Sequence, residues 1–193
     1  MKTKAVVFDA YGTLFDVNSA AKKCKNKIGS KWEAFANFWR TTQLEYTWLR
    51  SLMRKHKNFW EITEDSLDKS MRVFNIDKSM KNELLNLYRI LSPYPEVKTV
   101  LENLKKKDFK LAILSNGTPA LLNELVISNN LKNLFDDLFS IEEVKVYKPD
   151  KRVYEIPIKK YNIEAKEISF LSANTWDVSG GGNYGYNSIW VNR

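Results

Sequence analysis

Three short apolar runs along the chain each give way abruptly to small polar residues. Lys4 to Phe8 (K-A-V-V-F) leads into Asp9-Ala10-Tyr11-Gly12-Thr13, and Phe109 to Leu114 (F-K-L-A-I-L) into Ser115-Asn116-Gly117-Thr118. Ile168 to Leu171 (I-S-F-L) leads into Ser172-Ala173-Asn174-Thr175, and a fourth run, Ser188 to Val191, is followed by Asn192-Arg193. Unbroken apolar runs bounded by turn residues predict strands covered on both faces. The long stretches between them predict crossover helices, and so a mostly parallel sheet of the α/β class. In open parallel sheets ligands bind beyond the carboxyl ends of the strands. Asp9, Ser115 and Ser172 are therefore expected to converge on one edge.

Residues 16–91 differ in character. They contain no proline and are rich in aromatic and charged residues, among them Trp32, Phe35, Trp39, Trp48, Phe59 and Trp60. Apolar residues recur there at helical spacing, as in Trp32, Phe35, Trp39 and again in Leu44, Trp48, Leu52. The segment reads as a helical insertion between the first strand and the rest of the sheet. Ser92-Pro93-Tyr94-Pro95 marks a break before a further helical pattern from Glu96 to Lys106. A helix is expected to open at Lys148-Pro149-Asp150, where proline suits the first turn. Pro157, inside its expected span of Lys151 to Tyr161, should kink or shorten it. Six of the seven glycines (Gly12, Gly117, Gly180, Gly181, Gly182 and Gly185) lie in or just after the strand ends, which fits a site lined by backbone N–H groups.

Composition narrows the function classes. In 193 residues, 44% are hydrophobic and 28% charged, as in ordinary globular proteins. No apolar run approaches the roughly 20 residues of a membrane span, and no secretory leader is visible, so a cytoplasmic location is expected. Cys24 is the only cysteine, which excludes an intrachain disulfide and a cysteine-based metal cage. The formal charge of +8 comes from scattered basic residues such as Lys22-Lys23 and Lys105-Lys106-Lys107. A nucleic-acid partner would call for a concentrated basic face, so none is expected. His56, the sole histidine, sits among Arg54, Lys55 and Lys57 and reads as a surface residue, which removes a histidine base from consideration.

An ionised carboxylate at a strand tip, followed by Gly12 and Thr13, has the chemistry of a nucleophile that forms covalent intermediates. On the residues alone Asp9 could equally cap a helix or turn, Ser115-Asn116 could be a plain turn, and Lys148 and Arg40 could be solvated. The motifs taken together resemble the haloacid dehalogenase superfamily. These are Asp9-Ala10-Tyr11-Gly12-Thr13-Leu14, Ser115-Asn116-Gly117, Lys148-Pro149 and Ser172-Ala173-Asn174-Thr175-Trp176-Asp177, in that order over nearly the whole chain. The stretch Trp39-Arg40, Gln43-Leu44-Glu45-Tyr46-Thr47-Trp48-Leu49-Arg50 is similar to the L-2-haloacid dehalogenases in particular.

That resemblance implies a Rossmann-like parallel sheet core, residues 1–15 and 92–193, with residues 16–91 as an inserted helical cap. It implies hydrolysis of short (S)-2-haloacids to (R)-2-hydroxyacids through an aspartyl ester, with no cofactor and no metal. Asp9 would be the nucleophile, Thr13 would orient it, and Lys148 would hold it, supported by Tyr154. Asp177, with Asn174 and Ser172 beside it, would place the hydrolytic water. Ser115 would bind the substrate carboxylate, Arg40 and Asn116 would receive the halide, and Tyr11, Leu44, Phe59 and Trp176 would wall the carbon centre.

Two rivals are a magnesium-dependent phosphatase acting on a small phosphate ester and a non-catalytic member of the superfamily. Tyr11 stands where superfamily phosphatases carry a second Asp, and Ser172, Ala173 and Asn174 stand where they place an acidic metal ligand. Halide leaves as a stable anion without a proton, so a phenol there suits dehalogenation better than ester cleavage. A homodimer is left open. Relatives usually run further past the last strand, which would leave one sheet edge less covered here. Gly180-Gly181-Gly182 is expected to delay or loosen the helix it opens.

Overall fold

The structure is a computed structural model describing residues 3–193; Met1 and Lys2, assigned to the core from the sequence, lie outside the described residues. Five strands, β1 (Ala5–Phe8), β2 (Lys110–Ser115), β3 (Asp137–Ser140), β4 (Ile168–Ser172) and β5 (Asn187–Trp190), form one sheet. Their order is β3-β2-β1-β4-β5, and every neighbouring pair is parallel. Six helices lie between β1 and β2: α1 (Ser19–Lys23), α2 (Lys25–Ile28), α3 (Trp32–Met53), α4 (Phe59–Val73), α5 (Lys81–Arg89) and α6 (Val97–Lys105). Then α7 (Pro119–Ser128) joins β2 to β3, α8 (Lys151–Tyr161) joins β3 to β4, and α9 (Thr175–Tyr184) joins β4 to β5.

The register explains how the site is assembled. Phe8 on the central strand lies level with Ile113 of β2 and Leu171 of β4. All chains run the same way, so the segments after these strands leave from one edge, and Asp9, Ser115 and Ser172 arrive there together. All four residues of β1 are buried, which fits their unbroken apolar sequence.

The long insertion is held by its own apolar interior. In α3 and α4, Trp39 donates its indole N–H to the Thr63 carbonyl at 3.1 Å, and Phe35 packs edge-on against Phe74 at 5.9 Å. Asn58 and Glu61 cap α4 reciprocally, satisfying two otherwise orphaned backbone donors. The predicted stripe Leu44, Trp48, Leu52 does sit on a helix but is not its core face. Phe35, Ala36, Trp39, Thr42, Gln43 and Thr47 are buried instead, while Leu52 is 80% exposed.

Several expectations are corrected. The strand β3 was not foreseen. The helix α8 begins at Lys151, one residue after its cap Asp150, whose side chain accepts from the Arg152 N–H at 3.0 Å; Pro149 precedes the cap and is joined to Lys148 by a cis peptide. Pro157 does not shorten α8, which runs on to Tyr161; Val153, Tyr154, Ile156 and Pro157 are all buried and offset the missing backbone bond. Nor is α9 delayed: it starts at Thr175 and passes through Gly180, Gly181 and Gly182.

Two of these glycines, Gly180 and Gly181, serve packing rather than a backbone-lined site. A Cβ on Gly180 would lie 2.4 Å from the Tyr154 hydroxyl, and one on Gly181 would lie 2.8 Å from the Phe170 ring. His56 is not a free surface residue. It is partly buried, with Nε2 3.0 Å from Glu142 and its ring against Tyr147, because the connection between α3 and α4 folds down onto that segment.

Candidate active site

Asp9 follows β1 and is only 5% exposed. Its two carboxylate oxygens have unequal surroundings. Oδ2 accepts from Thr13 Oγ1 at 2.9 Å and from Asn174 Nδ2 at 2.8 Å, with Ser172 Oγ at 3.5 Å. Oδ1 has one partner, the Lys148 ammonium at 3.2 Å. The turn that brings Thr13 back to Asp9 is closed by the Gly12 N–H bonding the Phe15 carbonyl at 2.8 Å. It needs a positive φ at Gly12, +89°, which a side chain would strain.

Lys148 is fully buried and lies between two carboxylates, reaching Asp177 Oδ2 at 2.8 Å on its other side. Burial alone would lower the lysine pKa. Asp177 and Asp9 outweigh that effect and hold it above its ordinary value, so the ammonium stays charged. Phe170 adds its ring face at 5.1 Å. Asp177 sits in the first turn of α9, where the helix dipole favours a carboxylate. Its desolvation nevertheless pushes its pKa up to about 6, against the opposing pull of Lys148. Tyr154 donates to Asp177 Oδ1 at 2.7 Å, and burial raises that phenol far above its usual range, so it remains a donor.

The other tips contribute polar groups of defined polarity. Ser115 Oγ accepts from the Gly117 N–H at 3.1 Å, which leaves its own O–H available. Asn116 Oδ1 accepts from the Lys148 backbone N–H at 3.2 Å, which leaves the Asn116 amide N–H groups available. From α3, Arg40 reaches across to the Tyr11 carbonyl, donating from Nη2 at 3.2 Å. That same carbonyl accepts from Asn174 at 3.2 Å, so Arg40 lies one residue link from the Asp9 cluster.

Tyr11 is 3% exposed and stacks between two aromatic neighbours, Tyr88 at 5.7 Å and Phe59 at 5.1 Å. Burial lifts its pKa well above the ordinary value, so it is a neutral phenol. Leu44 is half-buried one turn beyond Arg40. Trp176 packs edge-on against Trp48 of α3 at 5.6 Å, a contact outside the Tyr11–Phe59–Tyr88 stack.

Nine of the expected residues are thus joined by direct bonds: Asp9, Thr13, Lys148, Ser172, Asn174, Asp177, Tyr154, Asn116 and, through the Tyr11 carbonyl, Arg40. Ser115 is brought to the same edge and held in its own turn. Sequence reasoning missed Gln43, Thr63 and Tyr88. They are buried and polar or phenolic, and they join Arg40 of α3 to α4 and α5. The available signals were the place of Gln43 in the stretch that resembles the L-2-haloacid dehalogenases and its spacing of three residues from Arg40, on the same helical face.

The donor set does not fit a magnesium ion. Asp9 and Asp177 are both engaged by the Lys148 ammonium, and Tyr11 and Asn174 stand where further carboxylates would be required. Among the described residues no group of three or more His, Cys, Asp or Glu side chains comes together.

The match of a family model, haloacid dehalogenase-like hydrolase, to residues 3–185 settles the ancestry. The chain belongs to that family. Among these hydrolases, (S)-2-haloacid dehalogenase 1 of Pseudomonas sp. (strain CBS-3) is 41% identical over 98% of this chain and 85% of its own. (S)-2-haloacid dehalogenase 4A of Burkholderia cepacia is 38% identical over 98% of this chain and 83% of its own. A solved L-2-haloacid dehalogenase of Xanthobacter autotrophicus, with chloropropionic acid covalently bound, superposes with a TM-score of 0.92. It is 36% identical and aligns over 99% of this chain and 78% of its own. The chain is an enzyme of the hydrolase class.

Proposed function

We propose that this enzyme hydrolyses short (S)-2-haloacids to (R)-2-hydroxyacids through an ester on Asp9. The observation that carries the reading is the asymmetric environment of that carboxylate, with two short hydrogen bonds on Oδ2 and a lone ammonium at Oδ1. Oδ1 keeps the freer lone pairs and attacks C2 from the side opposite the halogen, which departs with the bonding electrons. Free N–H groups of Arg40 and Asn116 receive the halide. Charge that grows on it in the transition state is stabilised by a cation already in place. The Ser115 hydroxyl and neighbouring backbone N–H groups hold the substrate carboxylate, while Tyr11, Leu44, Phe59 and Trp176 exclude competing water.

The ester is cleaved at the Asp9 carbonyl carbon. Water adds there as one of its protons passes to Asp177. The ester C–O bond then breaks, and the departing alkoxide takes that proton from Asp177 to become the hydroxy acid. The second proton leaves the rebuilt carboxyl group for solvent. Negative charge in the tetrahedral state falls on Oδ2, where Thr13 and Asn174 already donate. The buried ammonium of Lys148 balances both carboxylates throughout. Water's oxygen remains in Asp9, so the carboxylate is rebuilt with one solvent atom each turnover. The phosphatase reading has no group to protonate an alkoxide at Tyr11, whose phenol is strongly disfavoured from ionising.

In this reading the helices of residues 16–91 form a cap that carries Arg40 and Leu44 over the core of residues 1–15 and 92–193. No helix among the described residues is long and apolar enough to cross a membrane. A cytoplasmic enzyme without nucleic-acid partners accords with the scattered charge. A homodimer through the cap is supported by Leu49, Leu52 and Met53, which stand exposed on α3. Sedimentation of the purified protein decides that point. The activity is tested by chloride release from (S)-2-chloropropionate. Wild-type enzyme is expected to release chloride from the S enantiomer and not the R, and Asp9→Asn to release none. Equal release by Asp9→Asn would refute the nucleophile.

A further inference from the structure

Resting on that reading, we propose that Thr63 and Gln43 are positioning residues that fix where the Arg40 guanidinium points. Neither residue belongs to the strand-tip cluster, and both are essentially inaccessible, at 0% and 1% exposure. The Thr63 hydroxyl proton is committed to the Phe59 carbonyl one turn back in α4, at 2.7 Å. Its oxygen is therefore left to accept, and it accepts from Gln43 Nε2 at 2.7 Å.

That bond decides which way the Gln43 amide faces. With Nε2 on Thr63, Oε1 is turned to Arg40 Nη1 at 3.2 Å and to the Tyr88 hydroxyl at 3.2 Å. The flipped amide would place N–H groups against a guanidinium, two donors with no acceptor between them. Tyr88 is compatible with either orientation, its hydroxyl lying 3.0 Å from Gln43 Nε2 and 3.2 Å from Oε1, so Thr63 and Arg40 set the choice. With Gln43 on one side and the Tyr11 carbonyl on the other, Arg40 is held at two points, and its remaining N–H groups face a fixed direction. One relay, Phe59 carbonyl to Thr63 to Gln43 to Arg40, links α4 to the halide-receiving cation.

Thr63→Val is the discriminating change, since it keeps the shape and removes the acceptor, whereas Thr63→Ser keeps the hydroxyl. Losing one hydrogen bond that orients a charged group predicts a fall of about tenfold in kcat. KM for (S)-2-chloropropionate should move much less, and Thr63→Ser should restore the rate. In an Arg40→Lys background Thr63→Val should add no further loss, because the geometry it sets is already gone. Equal losses in both backgrounds, or no loss in either, would overturn the proposal. A crystal structure of unliganded Thr63→Val separates this from the functional reading. Arg40 drawn away from Gln43 and the Tyr11 carbonyl supports positioning even if no halide is ever released. Arg40 unmoved refutes positioning whatever the wild-type activity.

Discussion

Gly180 and Gly182 lie two residues apart in α9, and alanine at the two positions should have opposite effects. Alanine is favoured over glycine in a helix interior by roughly 1 kcal/mol. At Gly182 nothing comes nearer than 3.9 Å to an added Cβ and the residue is exposed, so Gly182→Ala should gain about that amount. At Gly180 the same methyl would meet the Tyr154 hydroxyl at 2.4 Å, Pro149 Cβ at 2.8 Å and Tyr154 Cζ at 2.9 Å. Tyr154 cannot swing aside, because its hydroxyl is bonded to Asp177 and its ring is packed by Phe170, Tyr184 and Tyr186. Overpacking of this kind costs about 1–3 kcal/mol, and less the helix gain Gly180→Ala should be destabilised by up to about 2 kcal/mol.

At roughly 2–4 °C per kcal/mol for a chain of this size, Gly182→Ala should melt a few degrees above wild type and Gly180→Ala a few degrees below. Activity separates them further. Displaced Tyr154 and Pro149 disturb Asp177 and Lys148, so Gly180→Ala should lose halide release while Gly182→Ala retains it. Thermal unfolding followed by circular dichroism, with chloride release on the same samples, gives both readouts. Unchanged melting and turnover in Gly180→Ala would refute the claim that Gly180 lets α9 approach Tyr154.

Further predictions concern the charged cluster and its pocket. Asp177 must be ionised to accept the water's proton, and burial pushes its pKa up to about 6, so kcat should fall as pH drops through that value. Tyr154→Phe removes a hydrogen bond that favours the ionised form, and should move this acid limb of the kcat profile to higher pH. The raised pKa also means that the folded chain holds this proton more tightly than the unfolded chain. Ionising Asp177 therefore subtracts stability as pH rises from the unfolded carboxylate value through about 6, and Asp177→Asn should flatten that part of the stability profile in urea titrations. Chelation should leave chloride release unchanged, because Lys148 fills the place between the two carboxylates; a rate restored only by added magnesium would contradict this.

Much of the sheet was legible because its strands are nearly pure apolar runs. A-V-V-F of β1 and L-A-I-L within β2 can be little else in a chain with helical patterns between them. The strand β3 was not, since Asp137-Leu138-Phe139-Ser140 is four residues long and only half apolar, and its pairing with β2 is a tertiary fact. The reactive cluster was legible because its members follow strand tips, where polarity changes abruptly. The relay behind Arg40 was hidden because Thr42, Gln43 and Thr47 occupy a buried helical face that hydrophobic periodicity assigns to solvent. Gln43 is tolerated there because Thr63 on α4 and Tyr88 on α5 satisfy its amide, and those partners are not neighbours in sequence; Thr47 instead bonds the Leu44 carbonyl of its own helix. Gly180 to Gly182 read as a weak helix for a related reason: the compensating contacts come from α8 and β4.

The account stands on covalent attack by Asp9, and repeated turnover in heavy-oxygen water tests it most directly. Mass spectrometry of the peptide containing Asp9 should show solvent oxygen accumulating in that side chain, with the first hydroxy acid released carrying an unlabelled oxygen from the enzyme. A product labelled from the first turnover, with Asp9 left unlabelled, would mean that water attacks the substrate directly and would contradict the ester mechanism.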